Sequence, residues 1–276
     1  MLRDRARSAA ILVPPLLLAL WLGGGWILLV VGLATAVAAW EAFRLLTAAG
    51  HASFPALGVI LAVVIALGDS VKVLPGGSGI LMAGLGVVLV GIGALTRQDP
   101  REGLAVFATT TFAAMYIGLL GFVARLASSE AFVDRTAPLG WLGSDRAWLL
   151  ALVLVVWAYD TAAYLVGRRI GRTPFMHHIS PAKTLEGVGG GLVAGLVVGA
   201  VLFVAFGRPV LAGAIFGALV GAAAQAGDLV ESMLKRAAGA KESSRLIPGH
   251  GGLLDRVDSF LFAAPVAFFY VVTVLR

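Results

Sequence analysis

The chain has 276 residues, of which 59% are hydrophobic and 13% are charged, and its formal net charge is +6. Because roughly a quarter of the residues in soluble proteins are charged, this composition excludes a soluble globular domain and predicts an integral membrane protein. The modest positive charge is typical of membrane topology and contact with anionic headgroups, and we expect no nucleic-acid partner. The absence of cysteine excludes disulfides and thiolate metal sites.

Long apolar runs predict an all-α fold of about nine transmembrane helices, since a helix of about 20 apolar residues crosses the hydrocarbon core. The predicted spans are approximately 8–22, 24–44, 54–68, 77–95, 103–124, 147–167, 187–206, 209–235 and 256–275. The third run is short, which leaves a re-entrant helix open as an alternative. The first run follows a basic segment but has no small-residue cleavage site, so we interpret it as an attached helix and not as a signal peptide.

The lysines and arginines set the predicted orientation. With a cytoplasmic N-terminus, most of the 21 lie on the cytoplasmic side, and the outer side holds Lys72, Arg125, Arg135, Arg146, Arg208 and Arg276. The positive-inside rule favours this arrangement, and nine spans then place the C-terminus outside. Two polar loops, 168–186 and 236–255, would both face the cytoplasm.

Four polar residues lie on one face at the end of the eighth span. In "GDLVESMLKR", Asp228, Glu231, Ser232 and Lys235 follow the i, i+3, i+4, i+7 spacing of a helical face. Asp228 precedes Arg236, which marks the cytoplasmic end, by a distance of about 12 Å along the helix. A charge at that depth predicts a wet cavity, a metal or a partner. A structural ion pair, for example with Lys235, is the alternative.

The last span begins with two acids on one helical face. In "LLDRVDS", Asp255 and Asp258 are three residues apart. Together with Asp228 from another helix they would form a hard oxygen site, which suits Mg²⁺ because that ion takes one or two carboxylates and keeps positions for water and phosphate. For Asp255, a role at the helix N-terminus, where acids complement the helix dipole, is left open.

A glycine-rich turn, Pro248–Gly252, lies between these acids. Its backbone amides lead into a helix start, which is an arrangement that binds anions. The basic residues around it are suited to a polyphosphate, although a plain interhelical loop is the alternative; they are Lys235, Arg236, Lys241, Arg245 and His250.

The other polar loop follows the sixth span. Asp160 lies inside that span, one turn before Tyr164, and Arg168 and Lys183 follow at the cytoplasmic edge. Glu186 opens the seventh span and is interpreted as its N-terminal acid. The arginines of this loop are suited to substrate phosphates, and the alternative is that they set the membrane topology and contact lipid headgroups.

The stretch from Ser232 to Asp258 resembles the signature of phosphatidate cytidylyltransferases, also called CDP-diacylglycerol synthases. The positions that match the family pattern are Ser232, Lys235, Arg236, Lys241, Pro248, His250, Gly251, Gly252, Asp255, Arg256 and Asp258. Glu242 departs from the pattern, in which Asp is usual. The upstream segments "DTAAYLVGRRIGR" and "SPAKTLEG" also resemble the family, with Ala182 and Leu185 in place of the commoner Lys and Trp.

The resemblance implies transfer of the cytidylyl group of CTP to phosphatidic acid, with Mg²⁺ as cofactor and a monovalent cation such as K⁺ sharing the acidic site. It implies catalytic roles for Asp228, Asp255, Lys235 and His250, and metal binding by Asp228, Asp255 and Asp258. The implied substrate-binding residues are Arg168, Lys183, Ser232, Arg236, Lys241, Gly251, Gly252 and Arg256. Family analogy also implies a homodimer among membrane lipids.

We expect a catalytic region at 131–276, preceded by helices at 1–130 that serve lipid access or dimer contact, in a bacterial inner membrane. Three other functions predict different sequence features. A CDP-alcohol phosphotransferase would carry a D-G-x-x-A-R pattern, which is absent. A cation-coupled transporter would show broken helices in paired halves. A non-catalytic scaffold would leave the intramembrane acids unexplained.

Reporter fusions test the orientation. The basic asymmetry predicts cytoplasmic signals from fusions near residues 176 and 243 and an external signal from the C-terminus. A cytoplasmic C-terminus would contradict the count of nine spans, most directly at the short run 54–68.

Overall fold

A computed structural model describes residues 18–19, 21–70, 77–249 and 251–275. Within these ranges the chain is helical and contains no strand, only two isolated bridges. The helices are α1 Gly25–Ala48, α2 Pro55–Leu67, α3 Ser78–Ala94, α4 Pro100–Gly118, α5 Gly121–Ala127, α6 Gly143–Ile170, α7 Leu185–Ala205, α8 Val210–Ala237 and α9 Leu254–Val274, with a 3-10 turn at Gly140–Leu142. The predicted all-α fold is confirmed.

Six of the described helical stretches are long and apolar enough to cross a membrane, by length and composition. They are Gly25–Ala48, Pro100–Ala127, Gly140–Ile170, Leu185–Ala205, Val210–Ala237 and Leu254–Val274. Two further apolar helices, α2 and α3, have 13 and 17 residues. Of the predicted span 8–22, only residues 18–19 and 21–22 are described, so most of it lies outside the described residues. The chain is therefore an integral membrane protein, while the number of nine spans and the orientation of the termini stay predictions.

The chain folds into two compact units, the first formed by Met1–Ala124 with Leu234–Val257 and the second by Arg125–Met233 with Asp258–Arg276. This division is structural, and the functional division expected at residue 130 stays a prediction. Both α8 and α9 pass from one unit to the other along their own length.

Helix α2 lies at the centre of the first unit, where it packs against α1, α3 and α4. Phe43 of α1 is buried against Gly58 of α2, where a side chain would overlap its ring. Local signals set the start of α4: the Asp99 side chain accepts a hydrogen bond from the Arg101 amide at 2.8 Å, and Pro100 occupies the first turn.

Close backbone contact between α7 and α8 organises the second unit. A Cβ at Gly199 of α7 would overlap the carbonyl of Gly213, and one at Gly217 of α8 would overlap the carbonyl of Gly195. The four-residue spacing on both helices is the small-residue pattern that lets helices approach closely in lipid. Buried aromatic rings fill the adjacent core, with Phe203 and Phe216 centred 5.1 Å apart.

A pair of alanine substitutions on α7 tests this contact. Gly199→Ala should lower the unfolding free energy in detergent by about 1–3 kcal/mol, because its methyl group would force the two backbones apart. Gly189→Ala is the matched control, since a Cβ there meets nothing within 4 Å. Equal stability of the two variants in chemical denaturation would contradict close packing at Gly199.

Candidate active site

A cavity of about 520 Å³ opens in the second unit between α6, the loop that follows it, α7 and α8. Its polar lining includes Asp160, Tyr164, Arg168, Ser180, Lys183, Thr184, Gln225 and Asp228. Residues predicted to bind substrate or metal from two distant stretches of sequence therefore line one cavity. Its volume is in the range of small-molecule sites.

Lys183 and Asp228 form an ion pair at this cavity, with Nζ 2.5 Å from Oδ2. The loop before α7 positions Lys183: the next residue, Thr184, caps the helix by accepting from the Gly187 amide. Glu186, in the first turn of α7, accepts from the amides of Arg172 and Thr173 and so closes the loop onto the helix start. The interpretation of Glu186 as the N-terminal acid of this helix agrees with these contacts.

Three carboxylates converge beside that ion pair. Asp228 and Glu231 of α8 and Asp258 of α9 each offer an oxygen, and these oxygens all lie within 4.8 Å of one another. Gly227 permits the approach of the two helices, since a Cβ there would lie 2.5 Å from the Asp258 carbonyl oxygen. Ser232 joins the group through its hydroxyl, 3.3 Å from Asp228 Oδ1.

The chemistry of this donor set fits a hard divalent cation. Clustered carboxylates repel one another, and a metal ion with oxygen preference removes that repulsion. Two of the three predicted ligands, Asp228 and Asp258, belong to the cluster, and Glu231 is its third member. Sequence reasoning noted Glu231 on the same helical face but did not count it as a ligand.

Asp255 has other partners, all within the first unit. Its Oδ1 lies 2.7 Å from Lys235 Nζ, and its Oδ2 accepts from the Gly252 amide at 2.8 Å and from Ser243. These contacts support the alternative that Asp255 serves the helix N-terminus. Its role as a metal ligand stays a prediction.

The backbone amides at the start of α9 donate hydrogen bonds to the protein's own carboxylates. Gly252 donates to Asp255, while Leu253 and Leu254 donate to Glu41 of α1, at 3.1 and 2.7 Å. Sequence reasoning missed Glu41. The available signal was its position as the one acid within the apolar run 24–44. Phosphate binding by Gly251 and Gly252 stays a prediction.

The remaining predicted site residues are basic. Arg168 is exposed at the cavity and donates to the Tyr164 hydroxyl at 3.0 Å. Arg236, Lys241 and Arg256 are exposed. His250 lies outside the described residues, so its predicted role is untested.

Comparison with known proteins relates the chain to a family of cytidylyltransferases. A family model described as "Cytidylyltransferase family" matches residues 3–274. Phosphatidate cytidylyltransferase 4, chloroplastic, of Arabidopsis thaliana is 34% identical over 277 residues, which cover 92% of this chain and 70% of the relative. Phosphatidate cytidylyltransferases of Synechocystis and Bacillus subtilis are 48% and 42% identical over 124 and 121 residues. These two matches cover 44% and 42% of this chain, and 41% and 44% of the bacterial relatives.

The burial of the Lys235–Asp255 pair can be tested by stability. The two side chains are 12% and 8% exposed, so Asp255→Asn should cost about 3 kcal/mol because it removes the negative charge that faces a mostly buried ammonium. Glu102→Gln is the matched control, because it breaks an exposed pair with Arg97 and should cost less than about 1 kcal/mol. Equal losses in denaturant titrations would contradict a special role for the buried pair.

Proposed function

We propose that the chain, which belongs to the cytidylyltransferase family, transfers the cytidylyl group of CTP to phosphatidic acid and forms CDP-diacylglycerol and pyrophosphate. The family match confirms the resemblance predicted from Ser232 to Asp258. The observation that carries the proposal is a cavity lined by Lys183, Arg168 and Asp228 in an integral membrane protein whose relatives are named phosphatidate cytidylyltransferases.

The proposed reaction makes modest demands on proton transfer. A phosphate oxygen of phosphatidic acid attacks the α-phosphorus of CTP, and the bond from that phosphorus to the pyrophosphate oxygen breaks. The attacking oxygen is already anionic, so the main barrier is the approach of two anions, and cations with good positioning supply most of the catalysis.

Basic residues of the two polar loops serve the phosphates in this proposal. Lys183 and Arg168 line the cavity, and their charges would hold nucleotide and lipid phosphates there. Ser232 is assigned on sequence grounds as a substrate-binding residue. Further phosphate contacts are assigned on the same grounds to Lys235, Arg236, Lys241, His250, Gly251, Gly252 and Arg256.

Asp228, Glu231 and Asp258 would hold Mg²⁺, with K⁺ as the proposed monovalent partner. A bound Mg²⁺ would neutralise phosphate charge on the nucleotide and on the leaving pyrophosphate. The ammonium of Lys183 donates a hydrogen bond to Asp228 Oδ2. A cation at Asp228 would compete with that contact and leave Lys183 able to bind phosphate.

The site would face the cytoplasm of a bacterial inner membrane, where CTP is available and phosphatidic acid lies in the bilayer. The basic loops support this side of the membrane through the positive-inside rule. Helices before residue 130 would serve lipid access or a homodimer contact.

One assay tests the proposal. Purified protein in mixed micelles receives labelled CTP, phosphatidic acid and Mg²⁺, and we expect labelled CDP-diacylglycerol and pyrophosphate in equal amounts. EDTA should abolish turnover, and added Mg²⁺ should restore it. Full activity after exhaustive chelation would contradict the metal assignment, whereas no product under any condition would contradict the function and favour a transporter or a scaffold.

Amide substitutions separate the metal ligands from neighbouring acids. Asp228→Asn and Glu231→Gln should each weaken binding of Mn²⁺, used as a spectroscopic probe for Mg²⁺, by more than about tenfold, with a parallel loss of turnover. Glu130→Gln is the control because Glu130 is an exposed acid of the same unit. If Glu231→Gln binds Mn²⁺ as tightly as the control while Asp228→Asn does not, Glu231 is not a ligand.

A further inference from the structure

Glu41 is a fully buried carboxylate about two turns before the end of the membrane-length helix α1. It accepts four hydrogen bonds: from the amides of Leu253 and Leu254, at 3.1 and 2.7 Å, and from the hydroxyls of Ser244 and Ser243, at 2.5 and 3.1 Å. Burial of a charge is costly unless donors replace its water, and hydrogen bonds to a charged acceptor are the strong ones. Each carboxylate oxygen of Glu41 therefore has one amide donor and one hydroxyl donor.

These donors lie on both sides of the glycine-rich turn Pro248–Gly252. Ser243 and Ser244 lie before the turn, and Leu253 and Leu254 lie at the start of α9, so Glu41 ties the loop entrance to its exit. It also satisfies first-turn amides that have no partner within their own helix. Gly252 fits this arrangement, since a Cβ there would lie 2.6 Å from both Glu41 oxygens.

A hydroxyl links Glu41 to the charged residues of the signature. Ser243 Oγ lies 3.1 Å from Glu41 Oε2 and 2.8 Å from Asp255 Oδ2, and its single hydrogen can be donated to one of them at a time. The Ser243 amide also donates to Asp255, which is paired with Lys235. Displacement of Glu41 would therefore change the position of Asp255 in two ways, through Ser243 and through the first turn of α9.

We propose that Glu41 is a positioning residue, which fixes the first turn of α9 and the loop before it so that Asp255 is held for the reaction. The inference rests on the proposed cytidylyl transfer for its kinetic consequence. Its structural part, the contact of Glu41 with Ser243, Ser244, Leu253 and Leu254, stands on the hydrogen bonds alone.

Hydrogen exchange measures that hold without any need for activity. Glu41→Gln keeps the shape but replaces one oxygen with an NH₂ group that faces donors, so we expect faster exchange in peptides covering 243–256 and unchanged exchange in α6 and α7. Two control variants should exchange like the parent protein. Glu102→Gln removes an exposed glutamate of the same unit, and Thr35→Val removes a buried hydroxyl of α1 that donates to the Val31 carbonyl in its own helix.

Kinetics then test the positioning role in the intact enzyme. Glu41→Gln should lower kcat by about 100-fold, the scale of a small misplacement of reacting groups, with a smaller change in KM for CTP. Glu41→Asp keeps the charge and should recover part of both the protection and kcat. Ser244→Ala should lower kcat on its own and have little further effect in the Glu41→Ala background, because the two residues share one interaction.

The outcomes are distinct. Parent-like exchange at 243–256 in Glu41→Gln overturns the proposal, and so does lost activity without altered exchange. If Glu41→Gln fails to fold, Ser244→Ala decides: altered exchange confined to 243–256 supports the proposal, and parent-like exchange overturns it. If the parent protein transfers no cytidylyl group, the proposed function fails, and the exchange comparison still decides whether Glu41 holds the loop.

Discussion

A carboxylate that is taken out of water loses hydration worth several kcal/mol, and a mostly apolar helical protein has few groups that can replace it. The described residues meet this constraint in three ways. Glu41 receives two amides and two hydroxyls, Asp255 receives a lysine with further donors, and Asp228, Glu231 and Asp258 are gathered where a cation can bind. The donors to Glu41 and most donors to Asp255 come from Ser243, Ser244 and Gly252–Leu254, whereas Lys235 lies in α8. Burial of these two acids therefore depends on where the second polar loop is placed.

The local part of the structure was predictable from sequence. Apolar run lengths gave the described long helices to within a few residues, because the hydrocarbon thickness sets helix length. A cluster of acids from two helices was predicted with Asp228, Asp255 and Asp258 as its members, and the described cluster contains Asp228 and Asp258 with Glu231 as the third acid. The motif between Ser232 and Asp258 predicted the family, because its residue types are tied to phosphate and cation chemistry at fixed separations.

The pairing of distant residues was not predictable. A single acid in the run 24–44 indicates that a buried partner exists, but periodicity cannot say that the partner begins more than 200 residues later. Asp255 shows the same limit from the other side. Its position at a helix start is compatible with both metal binding and helix capping. Its contacts with Lys235 and Ser243 depend on the tertiary structure, so the sequence alone does not reveal them.

The separation of 202 residues between Glu41 and Ser243 also sets an order of events during synthesis. At ribosomal rates of 5–20 residues per second, α1 is complete for about 10–40 s before its four donors exist. Throughout that interval the Glu41 carboxylate must be hydrated or protonated, because its four hydrogen-bond donors have not yet been made. The hydrogen bonds between Glu41 and these donors therefore form late in synthesis. The first unit reaches its final structure only after the start of α9 has been made and has packed against α1.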